Sequence, residues 1–309
     1  MVGGPHPLSV ICAHPGRQVQ LKVHQCVWSG EHPANSLPAV LECYRARVAR
    51  AEIDLAMLSD EDFLIAHDLE LANMSDGQGR VDETTRSRAQ RLHLAHHGAV
   101  TAERPVVLSD VVAAIAREPF PTLLELDLKD WKPWPWPRVE ELARVLQPVK
   151  DRITFGGGAD WNLRRLQTVD PSMPMGFTIS DKLDWVPEEQ RPGDLPGVRG
   201  AYGYLDAHPL ARARLGPTSD YLRDRLGAIL RLVPGARDIH IRLLAVERML
   251  DDGLTDLPDL LHAQGMLLDV WTLDAGTPNW RARLARALAA GVDVITTETP
   301  RELAVAASE

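Results

Sequence analysis

The feature that most constrains the fold is a regular alternation of short apolar runs with stretches of helical period. The apolar runs are predicted to form strands at 20–27, 51–56, 63–67, 121–129, 153–155, 175–179, 238–243, 266–272 and 292–296. Stretches with apolar residues three and four positions apart are predicted to form helices at 36–49, 108–117, 138–149, 160–168, 218–232, 255–264, 279–290 and 300–307. Strand and helix alternate about eight times, with one extra strand at 63–67, and this number of units favours a closed parallel barrel over an open sheet.

The length of the chain agrees with that prediction. A chain of 309 residues could hold two average domains or one (β/α)8 barrel, which takes about 250 residues. No linker divides the sequence, although 181–216 is rich in Pro and Gly and lacks a clear period. We therefore predict an α/β protein with a single TIM-barrel domain over residues 1–309, in which the stretch before residue 20 is extended.

The charge balance limits the partners. Asp and Glu number 43 against 34 Lys and Arg, a formal net charge of -9, which argues against a nucleic acid or an anionic membrane as partner. An anionic substrate would need a local cation to reverse the field at its site. The N-terminus has no signal-like segment, no apolar run approaches the ~20 residues that span a bilayer, and three cysteines imply no disulfide framework. We expect a cytoplasmic protein without stable membrane insertion; its oligomeric state is left open.

Two predicted strands carry charged residues two positions apart. Residues at this spacing share a face, so Glu52 points with Asp54, and Glu125 points with Asp127 and Lys129. A charge that faces the inside of a barrel is costly unless it is paired or bound to a metal. Solvated surface strands are the ordinary explanation for one such pair, but two pairs favour a shared oxygen-ligand site for Mg²⁺ or Ca²⁺.

Histidines lie at the ends of two predicted strands. His24 is near the end of the first strand and His67 ends the extra strand. A histidine pair can act as general base and general acid near neutral pH, because the unperturbed pKa of histidine is about 6.5. The denser group His93, His96 and His97 could suggest zinc, but it lacks a fourth ligand at metal spacing, and we interpret it as surface.

An ordered set of short motifs resembles the glycerophosphodiester phosphodiesterase family. His24-Gln-Cys matches the family's His-Arg-Gly, and Pro33-Ala-Asn-Ser matches its Pro-Glu-Asn-Thr. Glu52-Ile-Asp-Leu matches its Glu-x-Asp-Val, and Ile65-Ala-His-Asp matches its strand that ends in His-Asp. Later in the chain, Leu126-Asp-Leu-Lys matches the family's Glu-x-Lys segment, and Val270-Trp-Thr-Leu-Asp matches its Trp-Thr-Val-Asn. Gly291-Val-Asp-Val-Ile-Thr-Thr-Glu-Thr-Pro matches its last strand, Gly-Val-Asp-Gly-Ile-x-Thr-Asp-x-Pro. No single motif is specific, but their order along the chain is.

The resemblance implies a metal-dependent hydrolase of a small-molecule phosphodiester on a TIM barrel. Carried over residue by residue, it implies a divalent cation on Glu52, Asp54 and Asp127, an acid–base pair of His24 and His67, a phosphate contact from Lys129, and packing of the substrate alcohol on Trp271.

Several positions depart from the family pattern. Gln25 replaces an Arg that would bind phosphate in a bidentate manner, and Ala34 replaces a Glu. Asp127 replaces a Glu, and the resulting Asp-x-Lys form resembles the sphingomyelinase D branch of the same superfamily. Glu125 is an additional carboxylate that could ligate the metal or hold Lys129, and we place it with Gln25 on the substrate side of the site.

Two other functions stay open from the sequence. One is a lipid phosphodiesterase of sphingomyelinase D type, for which aromatic residues at 131–137 and in the 181–216 loop (Trp185, Tyr202, Tyr204) could supply apolar surface, although ordinary loop packing is the favoured interpretation. The other is a non-catalytic binding protein on the same barrel.

Overall fold

The computed structural model describes residues 4–14, 16–190 and 198–309. Its strands are β1 Val10–His14, β2 Arg17–Val23, β3 Arg50–Met57, β4 Phe63–Ile65, β5 Ala95–His96, β6 Ala99–Val100, β7 Leu123–Leu128, β8 Ile153–Gly156, β9 Gly176–Thr178, β10 Asp238–Arg242, β11 Leu267–Trp271 and β12 Val294–Thr297. Its α-helices are α1 Leu37–Ala46, α2 Arg86–Ala89, α3 Leu108–Ile115, α4 Trp136–Leu146, α5 Asp160–Val169, α6 Thr218–Leu230, α7 Leu243–Asp251, α8 Leu257–His262, α9 Trp280–Ala290 and α10 Pro300–Ala306.

Eight parallel strands form the barrel. The hydrogen-bonded order is β8, β7, β3, β2, β12, β11, β10 and β9. The two ends of this order meet, because the Phe155 amide donates to the Pro174 carbonyl at 3.0 Å and the Thr178 amide donates to the Gly157 carbonyl at 3.0 Å. The predicted α/β TIM barrel is confirmed.

Short antiparallel strands are added to this barrel. β1 pairs with β2 near the N-terminal end of the barrel strands, and β5 pairs with β6 in a separate hairpin. β4 pairs antiparallel with β3, with Leu55 opposite Ile65, and corresponds to the predicted extra strand at 63–67. β3 runs towards the C-terminal end of the barrel and β4 runs back along it. His67 follows β4 by two residues and therefore lies beside the last residues of β3.

The sequence did not predict helix α7, the short helix α2 or the β5–β6 hairpin. Helix α7 was missed, because it begins at Leu243 directly after β10 without a turn residue to mark its start; its buried face includes Val246 and Met249. The segment 181–216 is a long connection as expected, although 191–197 lies outside the described residues. Its described parts are tied down by Arg225, which donates to both carboxylate oxygens of Asp206 at 2.5 and 3.0 Å.

The main hydrophobic core lies between the barrel and its helices. Alternate strand residues such as Leu21, Ile53 and Leu126 are fully buried in it. The inside of the barrel is polar instead, whereas branched aliphatic side chains usually fill such barrels. At its N-terminal end, Arg50 bonds Gln20 at 2.5 Å and Asp238 at 3.1 Å. No helix in the described part of the chain is long and apolar enough to cross a bilayer.

Candidate active site

Two polar layers lie one above the other inside the barrel, towards its C-terminal end. We call the layer at the strand ends the upper layer; it contains Glu52 and Asp54 of β3, Asp127 of β7, and Lys129, His24 and His67 from the segments that follow the strands. We call the layer beneath it the floor; it contains Lys22 of β2, Glu125 of β7, His240 of β10 and Asp269 of β11. The in-register pairing of β3 with β7 places Asp54 opposite Asp127 and Glu52 opposite Glu125.

Three carboxylates of the upper layer converge. One oxygen each from Glu52, Asp54 and Asp127 lies within 4.8 Å of the others. In the described part of the chain, the ammonium that contacts them is that of Lys129, at 2.7 Å from Asp54 Oδ1 and 2.5 Å from Asp127 Oδ2. Glu52 Oε1 and Asp127 Oδ1 are buried without a hydrogen-bond partner. A set of carboxylate oxygens with this excess of negative charge fits a hard divalent cation.

Neighbouring groups hold two of these carboxylates in place. The Gln25 amide N–H donates to Glu52 Oε2 at 2.8 Å. The Asn35 side chain donates to Asp54 Oδ2 at 2.7 Å and accepts from the Asp54 amide at 3.1 Å. Gln25, Cys26 and Asn35 all have positive φ angles, of 49°, 56° and 61°. Such backbone is unfavourable for residues with side chains, and its presence in three residues around one site is typical of functional regions.

The crowded charges perturb the carboxyl groups in opposite directions. Burial, together with the neighbouring Asp54 carboxylate, raises the pKa of Glu52 well above its ordinary value. Burial alone would also raise the pKa of Asp54, but the Lys129 ammonium and His67 outweigh it and lower that pKa to about 2. Burial opposes the charge on Lys129 too, yet the Asp127 and Asp54 carboxylates raise its pKa. Lys129 is therefore a fixed cation among the carboxylates.

The two predicted histidines face each other at the top of the site. Their ring centroids are 6.4 Å apart and their planes are nearly perpendicular, at 85°. His24 Nδ1 lies 3.0 Å from Glu298 Oε1, and its Nε2 lies 3.9 Å from Glu52 Oε2. His67 Nδ1 lies 3.3 Å from Asp68 Oδ1 and is more exposed. The carboxylates fix one nitrogen of each ring and leave the other for a ligand.

A cavity of about 300 Å³ connects the two layers with solvent. It is lined by His24, Glu52, His67 and Lys129 above, and by Lys22, Glu125 and His240 below. Trp271 also lines it, with the Arg242 guanidinium 4.2 Å from its ring centroid. Trp131 stands at the mouth and is 47% exposed.

Two predicted site residues have contacts that the sequence did not indicate. Both oxygens of Glu125 accept from Lys22 Nζ at 2.9 Å, so Glu125 belongs to the floor. Of the two roles considered for Glu125, holding Lys129 does not agree with the structure, because Lys129 bonds the carboxylates of the upper layer. Gln25 contacts the site through its backbone amide, at Glu52.

The histidine group at 93–97, interpreted from the sequence as surface, lies away from the site. His93 bonds Asp76 at 3.1 Å and His96 bonds the Gly30 carbonyl at 3.1 Å, so neither joins the site.

Tyr202 and Tyr204 of the 181–216 loop are buried, and Tyr202 stacks on Tyr221 with centroids 4.0 Å apart. These tyrosines contact residues outside the loop, Tyr221 of α6 and Asp252 after α7, and do not supply an apolar surface.

The sequence did not indicate three residues of the floor, Lys22, His240 and Asp269, or two residues that bond the upper layer, Asn35 and Glu298. Asn35 was considered as a possible helix cap, and Ser36 is the residue that caps α1. A sequence signal did exist for Lys22 and Asp269. Lys22 lies two positions before His24, and Asp269 lies two positions before Trp271, so each shares a strand face with a predicted site residue.

Comparisons with known proteins give one consistent result. The model of the Glycerophosphoryl diester phosphodiesterase family matches residues 28–302, starting shortly after His24. No curated protein matches the sequence.

Solved structures with the same fold are distant in sequence. A proposed glycerophosphodiester phosphodiesterase from Galdieria sulphuraria is 15% identical, with a TM-score of 0.66 and coverage of 97% of this chain and 99% of that chain. A glycerophosphodiester phosphodiesterase from Parabacteroides distasonis is 15% identical, with a TM-score of 0.62 and coverage of 93% and 96%. A phosphodiesterase from Oleispira antarctica, solved with the product sn-glycerol-3-phosphate, is 16% identical, with a TM-score of 0.61 and coverage of 94% and 97%.

Proposed function

Since the chain belongs to the glycerophosphoryl diester phosphodiesterase family, we propose that it hydrolyses a glycerophosphodiester-like small molecule to an alcohol and a phosphomonoester with the help of one divalent cation. The observation that carries this proposal is the meeting of three carboxylates, one lysine and two facing histidines around a single cavity. The product complex of the Oleispira antarctica neighbour supports a diester of glycerol 3-phosphate as the kind of substrate.

The carboxylates of Glu52, Asp54 and Asp127 would hold the cation, either Mg²⁺ or Ca²⁺. When bound there, a divalent cation supplies neutralisation of the diester's negative charge and activation of a nearby hydroxyl or water. The protein prepares for this by orienting Asp54 through Asn35 and Glu52 through the Gln25 amide.

Lys129 would provide a second positive charge for the phosphate. Its ammonium contacts the carboxylates of Asp54 and Asp127, so its position is fixed before a substrate arrives. Gln25 offers no charge at the place of the family's Arg, and a neutral hydrogen bond is about half as strong as a charge-assisted one. Lys129 and the cation would therefore carry most of the phosphate binding.

His24 and His67 would move the protons. One ring accepts a proton from the attacking hydroxyl while the other donates one to the leaving alkoxide. Both rings line the same cavity with their centroids 6.4 Å apart, so both can reach one phosphoryl group bound there. The attacking group is either water or a hydroxyl of the substrate itself, which would give a cyclic phosphate first.

One observation favours a second candidate, a lipid phosphodiesterase of the sphingomyelinase D type. Trp131 is 47% exposed at the mouth of the cavity, where it could contact an acyl chain. The Asp127-x-Lys129 spacing is the form that this branch has in common with the chain.

A substrate panel separates these possibilities. The wild-type protein would be assayed on glycerophosphodiesters, lysophospholipids and bis-p-nitrophenyl phosphate, before and after treatment with EDTA. We expect hydrolysis of glycerophosphodiesters that EDTA abolishes and added Mg²⁺ or Ca²⁺ restores. Hydrolysis confined to lysophospholipids would support the lipid candidate. Turnover unaffected by EDTA would contradict the role of the three carboxylates, and no turnover of any diester would favour a binding protein.

A further inference from the structure

Large apolar side chains are exposed mainly at one end of the barrel. Of the seven that are exposed in the described part of the chain, one is Val305 of α10. The other six lie between a barrel strand and the helix that follows it, or at the first residue of that helix: Val100, Trp131, Trp136, Val198, Leu210 and Leu215. In a TIM barrel these connections lie at the C-terminal ends of the strands. The exposed apolar residues are therefore concentrated at the face where the active-site cavity opens.

The segment 207–217, in the connection from β9 to α6, has the most exposed of these side chains. Leu215 is 78% exposed and Leu210 is 42% exposed. Arg212 and Arg214 lie between the two leucines, and the segment contains no Asp or Glu. Leucine side chains combined with arginines are typical of segments that lie at the surface of a phospholipid bilayer, where apolar groups enter the acyl boundary and cations meet the phosphates.

Hydrogen bonds hold this segment in its shape. The Leu215 amide donates to the Tyr202 hydroxyl at 2.8 Å, and the Ala201 amide donates to the Ala211 carbonyl at 2.7 Å. Tyr202 is buried and stacks on Tyr221, so the segment is attached to helix α6. Because the exposed side chains are presented by a fixed backbone, little conformational entropy is lost when a partner covers them.

Two half-exposed tryptophans lie in the connection from β7 to α4 or at its end. Trp131 packs on Trp161 with ring centroids 6.1 Å apart, and the Arg165 guanidinium lies 5.1 Å from the centroid of Trp136. β7 and β9 flank β8 in the closed barrel, so this connection and the segment 207–217 lie on the same side of the cavity mouth. Tryptophan is enriched at the level of lipid headgroups, because its large ring is apolar and its N–H is polar.

The arrangement favours a bilayer over a protein as the partner. The apolar side chains come from two separate connections, with arginines beside them, whereas the anchors of a protein interface cluster in one packed pocket. A protein seated on both connections would also cover the mouth of the cavity, where Trp131 stands. The net charge of -9 opposes attraction to an anionic membrane from a distance, but salt screens this repulsion beyond about 8–10 Å, and the segment 207–217 has the opposite charge.

We propose that this face docks on the surface of a phospholipid bilayer, so that the mouth of the cavity opens towards the lipid headgroups. We call the docking surface the rim; it consists of Trp131, Trp136, Leu210, Arg212, Arg214 and Leu215. Its apolar side chains enter the boundary between headgroups and acyl chains, and its two arginines bind lipid phosphates. The docking is peripheral and reversible. The inference goes beyond the proposed function, because it holds whichever diester the site hydrolyses.

Sedimentation with vesicles tests the docking. The wild-type protein would be mixed at physiological salt with sucrose-loaded vesicles of phosphatidylcholine, or with vesicles that also contain phosphatidylglycerol. We expect the protein to sediment with both kinds, because the apolar side chains of the rim act on both. Sedimentation with neither kind, or only with the anionic vesicles, would overturn the proposal.

An apolar substitution assigns the binding to the rim. Leu215→Ser removes its most exposed side chain and should weaken binding to phosphatidylcholine vesicles by about 10-fold, the factor expected for the burial of one leucine side chain. Val305→Ser, at the exposed valine of α10, is the control and should bind as the wild-type protein does. Equal binding by Leu215→Ser and the wild-type protein would overturn the proposal.

A charge substitution tests the contact with lipid phosphates. Arg212→Gln should weaken binding to the vesicles that contain phosphatidylglycerol by about 5-fold, the scale of one basic residue near an anionic surface. Arg231→Gln, at an exposed arginine that follows α6 at the opposite end of the barrel, is the control and should leave this binding unchanged. An equal loss in both variants would contradict the assignment of Arg212 to the rim.

Turnover without vesicles separates this inference from the proposed function. Leu215 does not line the cavity, so Leu215→Ser should hydrolyse bis-p-nitrophenyl phosphate as fast as the wild-type protein does, and thermal unfolding would show that it is folded. Vesicle binding by a wild-type protein that hydrolyses no diester would contradict the proposed function alone. Hydrolysis by a wild-type protein that binds no vesicles would contradict the docking alone.

Discussion

The upper layer and the floor are built from the same kinds of residue but differ in charge balance. The upper layer sets three carboxylates against Lys129, and two carboxylate oxygens stay buried without a partner. The floor sets two carboxylates against Lys22, which contacts both. Glu52 and Asp54 are as deeply buried as the carboxylates of the floor, so the burial of a carboxylate does not distinguish a cation site from a self-contained ion pair. The excess of negative charge in the upper layer distinguishes the two.

The pKa directions follow the same contrast. In the upper layer, burial and Asp54 raise the pKa of Glu52. In the floor, burial would raise the pKa of Asp269, but the Lys22 ammonium outweighs it and lowers that pKa. A carboxylate with its own cation is stable as an anion, whereas one in surplus needs a cation from outside. The predictions below test this difference.

Removing a carboxylate from the upper layer should have the largest effect on activity. We expect Asp54→Asn to abolish detectable turnover of glycerophosphodiesters, because metal-assisted charge neutralisation contributes several kcal/mol to the transition state. Steady-state kinetics in saturating Mg²⁺ or Ca²⁺ would measure it. Asp151→Asn, at an exposed aspartate near the opposite end of the barrel, is the control and should keep wild-type turnover. Activity of Asp54→Asn within 10-fold of wild type would mean that the upper layer does not need its charge.

Replacing either facing histidine should lower activity while the metal site is retained. We expect His24→Gln and His67→Gln each to reduce kcat by about 10²–10⁴-fold, the usual range for lost acid–base assistance. Both rings are partly exposed at the mouth of the site, so thermal unfolding should change little. A variant whose rate stays within a few-fold of wild type would show that its histidine is structural.

Removing the cation of the floor should act on stability instead. Lys22→Met leaves Glu125 and Asp269 buried without their ammonium partner, and loss of one member of a buried ion pair costs about 3–5 kcal/mol. Denaturant unfolding would measure the loss. Lys132→Met, which removes an exposed pair with Asp82, is the control and should change the unfolding free energy by less than about 1 kcal/mol. If both variants were equally stable, the floor would not depend on its internal cation.

The smallest expected effect is a gain in stability instead of a loss. In the absence of metal, Glu52→Gln removes a surplus buried charge, keeps the size of the side chain and can still accept from the Gln25 amide. We expect the metal-free variant to unfold with a free energy about 1 kcal/mol higher than wild type, the scale seen when a functional site is relieved of strain. Chemical denaturation in EDTA would test this, and a destabilised variant would contradict the charge imbalance in the upper layer.

The two layers also differ in how well the sequence predicts them. The spacing of Glu52 with Asp54 and of Asp127 with Lys129 placed each pair on one strand face, and the structure brings these four residues together. Each pair is local, so the two-residue period of a strand is sufficient to find it. The barrel itself was predictable for the same reason, because it repeats one strand–helix unit.

The floor had a weaker signal, which was the two-residue spacing of Lys22 from His24 and of Asp269 from Trp271. Lys22 stands alone between apolar residues of β2, and its partner Glu125 is 103 positions away. Only the closure of the barrel brings such positions together, and one sequence carries no local record of it. The missed helix α7 has a local cause, since Arg242 ends β10 and the helix starts at the next residue without a Gly, Pro or Asn to separate them.

The stoichiometry of divalent-cation binding tests the central claim most directly. Calorimetric titration of the EDTA-treated protein with Mn²⁺ would count the sites, and the same titration of Asp54→Asn would locate them. We expect one site in the wild-type protein, because the upper layer sets three carboxylates against Lys129 whereas the floor sets two against Lys22, and no site in Asp54→Asn. No site in the wild-type protein, two sites, or a site that persists in Asp54→Asn would contradict it.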